Sequence, residues 1–293
     1  MYRIGGIEAG GTKFVCVVAN EANRILAETV VPTTSPQETI AACVAFFRAQ
    51  GGVEALGLAS FGPLILDPAS AGYGTVGRTP KAGWTGADLV GGFGAALGVP
   101  VVLDTDVNGA GLAEARLGAG VGLDVMAYLT VGTGIGGGLI IGGRPVHGLS
   151  HPEMGHVKVH RHALDGVFPG VCPFHGDCLE GMAAGPSVMK RLGHPLSEAA
   201  PDHPIWSILG DYIGQFCATL TLVASPQRIV LGGGVMGNAA LFPVVRAACA
   251  AALADYVPIP RLSATATDYI VPPGLGDRAG AIGALLLAES ALA

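Results

Sequence analysis

The chain contains 293 residues, of which 50% are hydrophobic and only 13% are charged, and 47 residues are glycine. This composition excludes a disordered chain and predicts one large or two medium α/β domains with well-buried cores and tight turns. The formal net charge of −6 and the lack of any run of Lys and Arg argue against nucleic acid as the main partner.

The first part of the sequence alternates strand-like and helix-like segments. IGGIEAGGTKFVCVVAN predicts a strand, a tight glycine turn and a second strand, and RILAETVVPT predicts a third. Ser35 and Pro36 are typical of a helix start, and this helix should run through Phe47. EALGLASFGP predicts the next strand, followed by a helix at about 87–97, the strand VPVVLDTD and a helix at about 107–117.

The same pattern begins again after Gly118. VMAYLTVGTGIGGGLIIGG repeats the order strand, glycine turn, strand, which is a weak internal repeat. Helices at about 185–192, 204–223 and 239–254, the strand RIVLGGG, DYIVPP and a last helix from about 278 complete the chain. We therefore predict two similar α/β lobes facing a cleft, residues 1–117 and 118–277, with the helix 278–293 completing the first lobe.

No segment has the pattern of a secretory signal or a membrane anchor. The N-terminal MYRIGGIEAGG lacks a charged region followed by an apolar run. Residues 125–143 are uncharged and long enough to cross a bilayer, but seven of them are glycine, which suits two strands and a turn better. We expect a cytoplasmic protein that does not engage membranes.

Two glycine loops have the spacing G-x-G-x-x-G, at 132–137 and 232–237. A dinucleotide site needs a helix directly after the loop, and the strand-like GLIIGG after the first loop excludes it there. The second loop precedes a helix, with Asp255 near the distance of a ribose-binding carboxylate, so a Rossmann site stays open. The turns AGGTK (9–13) and GTGIG (132–136) can offer backbone N–H groups to phosphate, although plain hairpin turns have the same composition.

The six cysteines fall into two groups. Those at positions 16, 43, 217 and 249 are isolated in apolar segments, as expected of core residues. Cys172 and Cys178 flank His175 in CPFHGDC, and this C-x2-H-x2-C cluster indicates a metal rather than a disulfide. A saturated zinc site needs a fourth ligand, for which His156, His160 and His162 compete.

Several segments occur together in an order found in one family. GGIEAGGTKF, DTDVNGAGLAE, TVGTGIGGG, HPEMGH, CPFHGDCLEG and IVLGGGVM resemble the ROK family of sugar kinases. TPKAGW, SHPEMGH, CPFHGDC and YIVPPGLG resemble most closely its bacterial zinc-containing fructokinases. The resemblance implies a duplicated actin-like ATPase (ribonuclease H-like) α/β fold, in which ATP and sugar meet between two lobes.

A sugar kinase needs a base near the attacking hydroxyl, amides that cradle phosphate, and magnesium. The resemblance assigns the base to Asp106, although Asp104 shares its strand face and Asp106 is also a reasonable helix N-cap. It implies that Glu8, where the family more often has Asp, holds the Mg²⁺ of MgATP. It also implies phosphate contacts by Gly10, Gly11, Thr12, Lys13, Thr133 and Gly134, and an adenosine site at Gly232, Gly233, Gly234, Val235 and Met236.

The sugar and metal ligands implied by the resemblance overlap. Sugar contacts fall on Asn108, Glu153, His156 and Glu180. The resemblance also selects His156 as the fourth zinc ligand, within a zinc-binding segment at 156–178 that supplies Cys172, His175 and Cys178. The family more often uses three cysteines at another spacing, so His175 stands in place of a cysteine. Because four protein ligands leave no open position, we predict a structural zinc.

These assignments predict ATP-dependent phosphorylation of a hexose, D-fructose to D-fructose 6-phosphate, by a homodimer. A mannose or glucose kinase needs almost the same residues and is the nearest alternative. A non-catalytic, sugar-sensing repressor of the family would carry an N-terminal helix-turn-helix, for which the first glycine turn leaves no room. A NAD-dependent dehydrogenase is disfavoured by the context of the first glycine loop.

Overall fold

The computed structural model describes residues 2–292 and has an α/β architecture with two mixed five-stranded sheets. The chain forms two compact units. The first unit runs to Arg116, includes Arg144–Pro152 and resumes at Asp277; the second consists of Leu117–Gly143 and Glu153–Gly276. The segment Arg144–Pro152 thus groups with the first unit, whereas the sequence placed it in the 118–277 lobe.

The sheet of the first unit begins with an antiparallel meander. Its strands are β1 (Arg3–Ala9), β2 (Lys13–Asn20), β3 (Ile25–Pro32), β4 (Ala55–Ser60) and β5 (Val101–Thr105), in the order β3-β2-β1-β4-β5. β1 pairs antiparallel with β2, whereas β4 lies parallel to β1 and β5 parallel to β4. The carboxyl ends of β1, β4 and β5 therefore lie along one edge of the sheet.

The helices of the first unit start within two residues of the positions that the sequence predicted. α1 (Pro36–Ala49) is capped by Ser35, whose side chain accepts from the Glu38 N–H group, and Pro36 occupies its first turn. α2 (Leu89–Leu97) is capped by Asp88 and ends at the left-handed Gly98. α3 (Asp106–Leu117) follows β5 directly, and α8 (Ala279–Ser290) packs on β1 and β4.

The second sheet repeats the hairpin-first design of the first sheet. Its strands are β6 (Val125–Val131), β7 (Ile135–Ile141), the two-residue β8 (Arg144–Pro145), β9 (Arg228–Gly232) and β10 (Ile270–Val271), in the order β10-β9-β6-β7-β8. β6 and β7 are antiparallel, and β9 lies parallel to both β6 and β10. The prediction of two strands and a turn in residues 125–143 is confirmed.

Four helices complete the second unit: α4 (Leu179–Ala183), α5 (Gly185–Leu192), α6 (Ile205–Ala224) and α7 (Leu241–Leu253). α6 and α7 pack against each other. Among residues 2–292, α6 is the one helix long and apolar enough to cross a membrane, but 61% of its apolar window is buried inside the protein, as in a core helix. The cysteines at 16, 43, 217 and 249 are buried free thiols, as predicted.

Candidate active site and metal centre

Asp106 lies at the junction between β5 and α3, where it is the first residue of the helix. Thr105 caps this helix, because its Oγ1 accepts from the Asn108 N–H group at 3.1 Å. The interpretation of Asp106 as the N-cap is therefore wrong by one residue. The Asp106 carboxylate is half-buried and accepts from the Val107 N–H group at 2.9 Å, and the helix N-terminus favours its charged form.

Asp104 has a different environment, which strand alternation alone could not reveal. Its carboxylate is buried and accepts hydrogen bonds from the Thr105 N–H group and from Asn108 Nδ2, both at 2.7 Å. His147 Nε2 lies 3.1 Å from the same oxygen. The sequence interpretation missed His147 altogether, because a lone histidine in a loop gives no periodic or spacing signal.

Asn108 is completely buried. Its side-chain amide nitrogen has a hydrogen-bond partner, whereas its amide oxygen has none among the described residues. The amide nitrogen donates to Asp104, which fixes the amide orientation, since the reverse orientation would set oxygen against oxygen. The Oδ1 atom accepts no hydrogen bond from any of the described residues. A buried acceptor of this kind is costly unless a donor reaches it, and a sugar hydroxyl is such a donor.

The first glycine turn, at residues 10–12 between β1 and β2, has its carbonyl groups engaged by the protein. Gly10 O accepts from Thr33 Oγ1 at 2.9 Å, and Thr12 O accepts from the Thr33 N–H group at 3.0 Å. Gly11 O accepts from Lys81 of TPKAGW, a contact that the sequence did not predict. Gly11, Thr12 and Lys13 are exposed. The Gly10 N–H group already donates to Lys13 O at 2.9 Å, so an anion at this turn would be received by the amides of the exposed Gly11 and Thr12.

Glu8, the predicted magnesium ligand, is half-buried near the end of β1. Burial raises the pKa of its carboxyl, the charge of Lys13 lowers it, and the charge of Asp277 raises it again. Oxygen donors from two neighbouring carboxylates are the kind that Mg²⁺ takes, so the residues fit a cation. The effect of Asp277 on Glu8 also indicates a neighbouring carboxylate that the sequence did not identify.

The second glycine turn, Gly132 to Gly134, joins β6 to β7. It is closed by a hydrogen bond from the Gly132 N–H group to Gly134 O at 2.9 Å, and Gly132 O accepts from the Gly185 N–H group at 2.7 Å. The carboxylate of Glu180 accepts from the Ile135 N–H group at 3.0 Å. Glu180, predicted as a sugar ligand, thus also contacts the strand directly after this turn.

The glycine loop at 232–237 follows β9, but no helix follows this loop directly. α7 begins only at Leu241, and the sheet contains an antiparallel hairpin, so the Rossmann interpretation of this loop is wrong. Gly233 has φ = +88°, and a Cβ atom there would lie 2.5 Å from Val131 O. The Val235 N–H group donates to the same Val131 carbonyl at 2.9 Å, which fixes the loop beside β6.

A cavity of about 870 Å³ in the second unit is lined by both the turn at 132–134 and the glycine loop at 232–237. This volume lies within the range of small-molecule sites, roughly 300–1,000 Å³. The loop between β6 and β7 and the loop after β9 form one part of its wall, and α5 and the segment after it form the rest. Its lining is Gly132, Thr133, Gly185, Pro186, Val188, Met189, Lys190, Pro195, Leu196, Gly234 and Val235. The sequence predicted the glycine loops but not the apolar wall from α5.

The substitutions Gly233→Ala and Gly234→Ala should separate the folding role of this loop from its ligand role. Gly233→Ala should lower the free energy of unfolding by about 2 kcal/mol or more, because of its positive φ and the backbone clash. Gly234→Ala meets no atom within 4 Å, so it should leave the melting temperature unchanged. If the cavity receives ATP, as the sequence predicts, Gly234→Ala should still raise KM for ATP several-fold, because Gly234 lines the cavity. Equal melting temperatures for the two variants would contradict this assignment.

The predicted metal ligands come together in the second unit. The ligand atoms of His156, Cys172, His175 and Cys178 all lie within 4.8 Å of one another. His156 Nδ1 is 3.8 Å from Cys172 Sγ and 3.5 Å from Cys178 Sγ, and His175 Nδ1 is 3.7 Å from Cys172 Sγ. In a tetrahedral zinc site, Zn–S of about 2.3 Å and Zn–N of about 2.0 Å separate sulfur and nitrogen ligands by about 3.5 Å. The four residues therefore fit a zinc ion.

The two competing histidines lie outside this cluster. His160 is exposed, and His162 Nδ1 accepts from the Leu164 N–H group at 3.2 Å. Burial raises the pKa of the Cys178 thiol to about 11. A cation is needed to hold a thiolate there at neutral pH, and a metal supplies that charge.

The metal cluster is built on two short backbone pairings. Cys172 and Gly176 exchange both N–H···O bonds, and the Leu179 N–H group donates to Val157 O at 2.8 Å. The turn with His156 packs closely on β7, since a Cβ on Gly155 would lie 1.8 Å from Ile135 O. Glu180 lies in the first turn of α4, two residues after Cys178. Glu153, by contrast, is exposed at the start of the His156 turn.

Two sheets of the same hairpin-first design, with glycine turns and a nucleotide-sized cavity, define the class of the actin-like ATPase fold. The chain matches the ROK family over residues 4–291 and belongs to that family. The fructokinase of Zymomonas mobilis is 44% identical over 98% of this chain and 96% of its own length. The fructokinase of Pediococcus pentosaceus is 42% identical over 99% of this chain and 98% of its own length.

The fold of a solved structure also matches this chain over nearly its whole length. The ROK family glucokinase from Streptomyces griseus, in complex with glucose and AMPPNP, is 26% identical with a TM-score of 0.76, and the alignment covers 98% of this chain and 99% of that one. The predicted family and fold are therefore confirmed.

Proposed function

We propose that this protein is a fructokinase that transfers the γ-phosphoryl group of ATP to D-fructose and forms D-fructose 6-phosphate. The observation that carries this proposal is the 42–44% identity to named fructokinases over at least 98% of the chain. The β5–α3 junction and the nucleotide-sized cavity supply the two kinds of site that such a reaction needs.

Asp106 is the proposed catalytic base. Its carboxylate accepts the proton of the primary hydroxyl as the hydroxyl oxygen forms a bond to the γ-phosphorus and the bond from that phosphorus to the ADP oxygen breaks. Asn108 Oδ1, which lacks a donor among the described residues, accepts a hydrogen bond from a sugar hydroxyl. Glu153, His156 and Glu180 bind further hydroxyl groups of the sugar.

The nucleotide binds in the cavity of the second unit. The apolar side chains of Val188, Met189 and Leu196 suit the faces of an adenine ring, and the glycine turn with Thr133 suits phosphate oxygens. Gly10 to Lys13 supply the other phosphate contacts. Glu8, helped by Asp277, holds the magnesium ion that neutralises phosphate charge when ATP is bound.

The zinc ion has a structural role in this proposal. His156, Cys172, His175 and Cys178 provide four ligands, which leaves no position for a reacting water. His156 and Glu180 are then held in place by the same metal-stabilised segment. The expected cytoplasmic location and homodimeric state belong to the proposal as well.

The function is tested by ADP release from ATP with D-fructose, D-mannose and D-glucose, and by identifying the phosphorylated carbon. We expect kcat/KM for fructose to exceed that for the other two hexoses by at least about 10-fold, a difference of about 1.4 kcal/mol in transition-state binding. A preference for mannose or glucose would contradict fructose as the substrate but would leave the assignment as a sugar kinase intact. Sugar binding without any ADP release would instead support a non-catalytic sugar sensor and contradict the proposal.

A further inference from the structure

A buried carboxylate, Asp104, lies two residues before the proposed catalytic base and takes no part in the proposed proton transfer. Asp104 is 4% exposed, yet it carries two hydrogen bonds from the β5–α3 junction and a close contact with His147. His147 Nε2 is 3.1 Å from each of the two carboxylate oxygens. His147 comes from the segment Arg144–Pro152, and its side chain remains 41% exposed.

We propose that His147 is a positioning residue for the phosphoryl transfer proposed above: its imidazole holds and charge-balances Asp104, which in turn holds Asn108 on the first helical turn after Asp106. This inference rests on the proposed function. It deepens that function by adding a residue that acts through others and does not touch the reacting atoms.

The hydrogen bonds show how the effect reaches Asp106. The Asn108 N–H group binds Thr105 Oγ1, and the Asn108 side chain binds Asp104, so the first turn of α3 is fixed by both its backbone and a side chain. Asp106 lies between these anchor points in the chain. A displacement of a catalytic group by about 1 Å can cost about 10²-fold in rate, so a loosened Asp104 should reduce kcat.

Charge gives His147 a second effect. Asp104 is the charged group in direct contact with His147, at 3.1 Å. Asp106 lies two residues after Asp104, and Arg144 and His151 are the other titratable residues of the segment that carries His147. The hydrogen bond with Asp104 raises the pKa of His147 above its ordinary value, and burial partly opposes this. The imidazolium that offsets Asp104 is therefore present at low pH and is lost only as the pH rises through this raised pKa. Above it, the Asp104 carboxylate, two residues from the proposed base, loses its compensating charge.

The kinetic test compares His147→Ala and His147→Gln with the wild type across about pH 6 to 9. His147→Ala should lower kcat by about 10-fold or more, with KM for ATP within about twofold. Gln retains a neutral donor and should recover part of this loss. The ratio of wild-type kcat to that of His147→Gln should fall as the pH rises, because Gln resembles only the neutral imidazole. A ratio that stays constant with pH, or a His147→Ala variant with wild-type kcat, would overturn the inference.

A second measurement does not depend on activity. The His147 ring, followed by NMR during a pH titration of the full chain, should lose its proton above about pH 6.5, and Asp104→Asn should bring this titration back toward that ordinary value. For the kinetic test above, the exposed His160 supplies the control, since His160→Gln should leave kcat unchanged. An unshifted His147 titration would overturn the inference even in an active enzyme. If the wild type phosphorylates no hexose, the proposed function fails, while the titration still tests the pairing of His147 with Asp104.

Discussion

Asp106→Asn is expected to reduce kcat with fructose and ATP by about 10³-fold, because general-base catalysis contributes roughly 10²–10⁴-fold. Asn has nearly the same size, and its oxygen can accept from the Val107 N–H group as the Asp106 carboxylate does. The helix should therefore persist, but an amide cannot take a proton from the sugar hydroxyl. Steady-state kinetics should show the loss in kcat, with both KM values within about threefold of the wild type.

Asp88→Asn is the matched control for this substitution. Asp88 lies at the start of another helix in the same unit, as its N-cap, where its carboxylate accepts from the Gly91 N–H group at 2.7 Å. Because Asn caps helices as well as Asp, this variant should keep wild-type kcat and melting temperature. An Asp106→Asn variant with more than about a tenth of the wild-type kcat would contradict the base assignment. Equal losses in both variants would point to helix capping instead.

Cys178→Ser is expected to remove zinc from the protein and most of its kinase activity with it. Cys178 is completely buried, and the residues that follow it form the first turn of α4 with Glu180. Without the metal, His156 and Glu180 lose their common support, so we expect kcat/KM for fructose to fall by about 10²-fold, the loss typical of disturbed metal-site support. Zinc per chain, measured by elemental analysis, should fall to zero, and the melting temperature should decrease.

Two further variants sharpen the zinc test. His175→Gln removes a ligand that is exposed and not predicted to touch sugar, so its activity loss reports on the metal alone. His160→Gln should retain both zinc and activity, because His160 lies outside the ligand cluster. Full activity in zinc-free His175→Gln would contradict the structural role of the metal, and zinc loss from His160→Gln would contradict the ligand set.

Local sequence patterns were sufficient to predict most of the fold. The two glycine hairpins, the Ser35–Pro36 helix start and the apolar runs of β4, β6 and β9 follow from alternation, capping and turn chemistry, which act over a few residues. The Cys172–Cys178 spacing is equally local. The fourth zinc ligand could not be predicted from local spacing, because His156 is sixteen positions upstream of Cys172. Spacing alone left His160 and His162 as alternatives.

Contacts between distant segments could not be predicted in this way. Lys81 reaches the carbonyl of Gly11, and His147 reaches Asp104, across 70 and 43 positions of the chain respectively. Neither residue belongs to a periodic or spaced motif. The apolar wall that α5 gives to the cavity was also missed, because Val188 and Met189 read as ordinary helix residues. The different environments of Asp104 and Asp106 became clear only from the start of α3, which lies one residue earlier than predicted.

The bond between Glu180 and the Ile135 N–H group has a consequence for how the two substrates influence each other. Glu180 is a proposed sugar ligand, and Ile135 directly follows the glycine turn proposed to receive phosphate. A sugar that engages this carboxylate should therefore change the order of the turn, and a bound nucleotide should restrain the carboxylate in return. Thermodynamic reciprocity then requires fructose to alter the dissociation constant of ATP by the same factor by which ATP alters that of fructose.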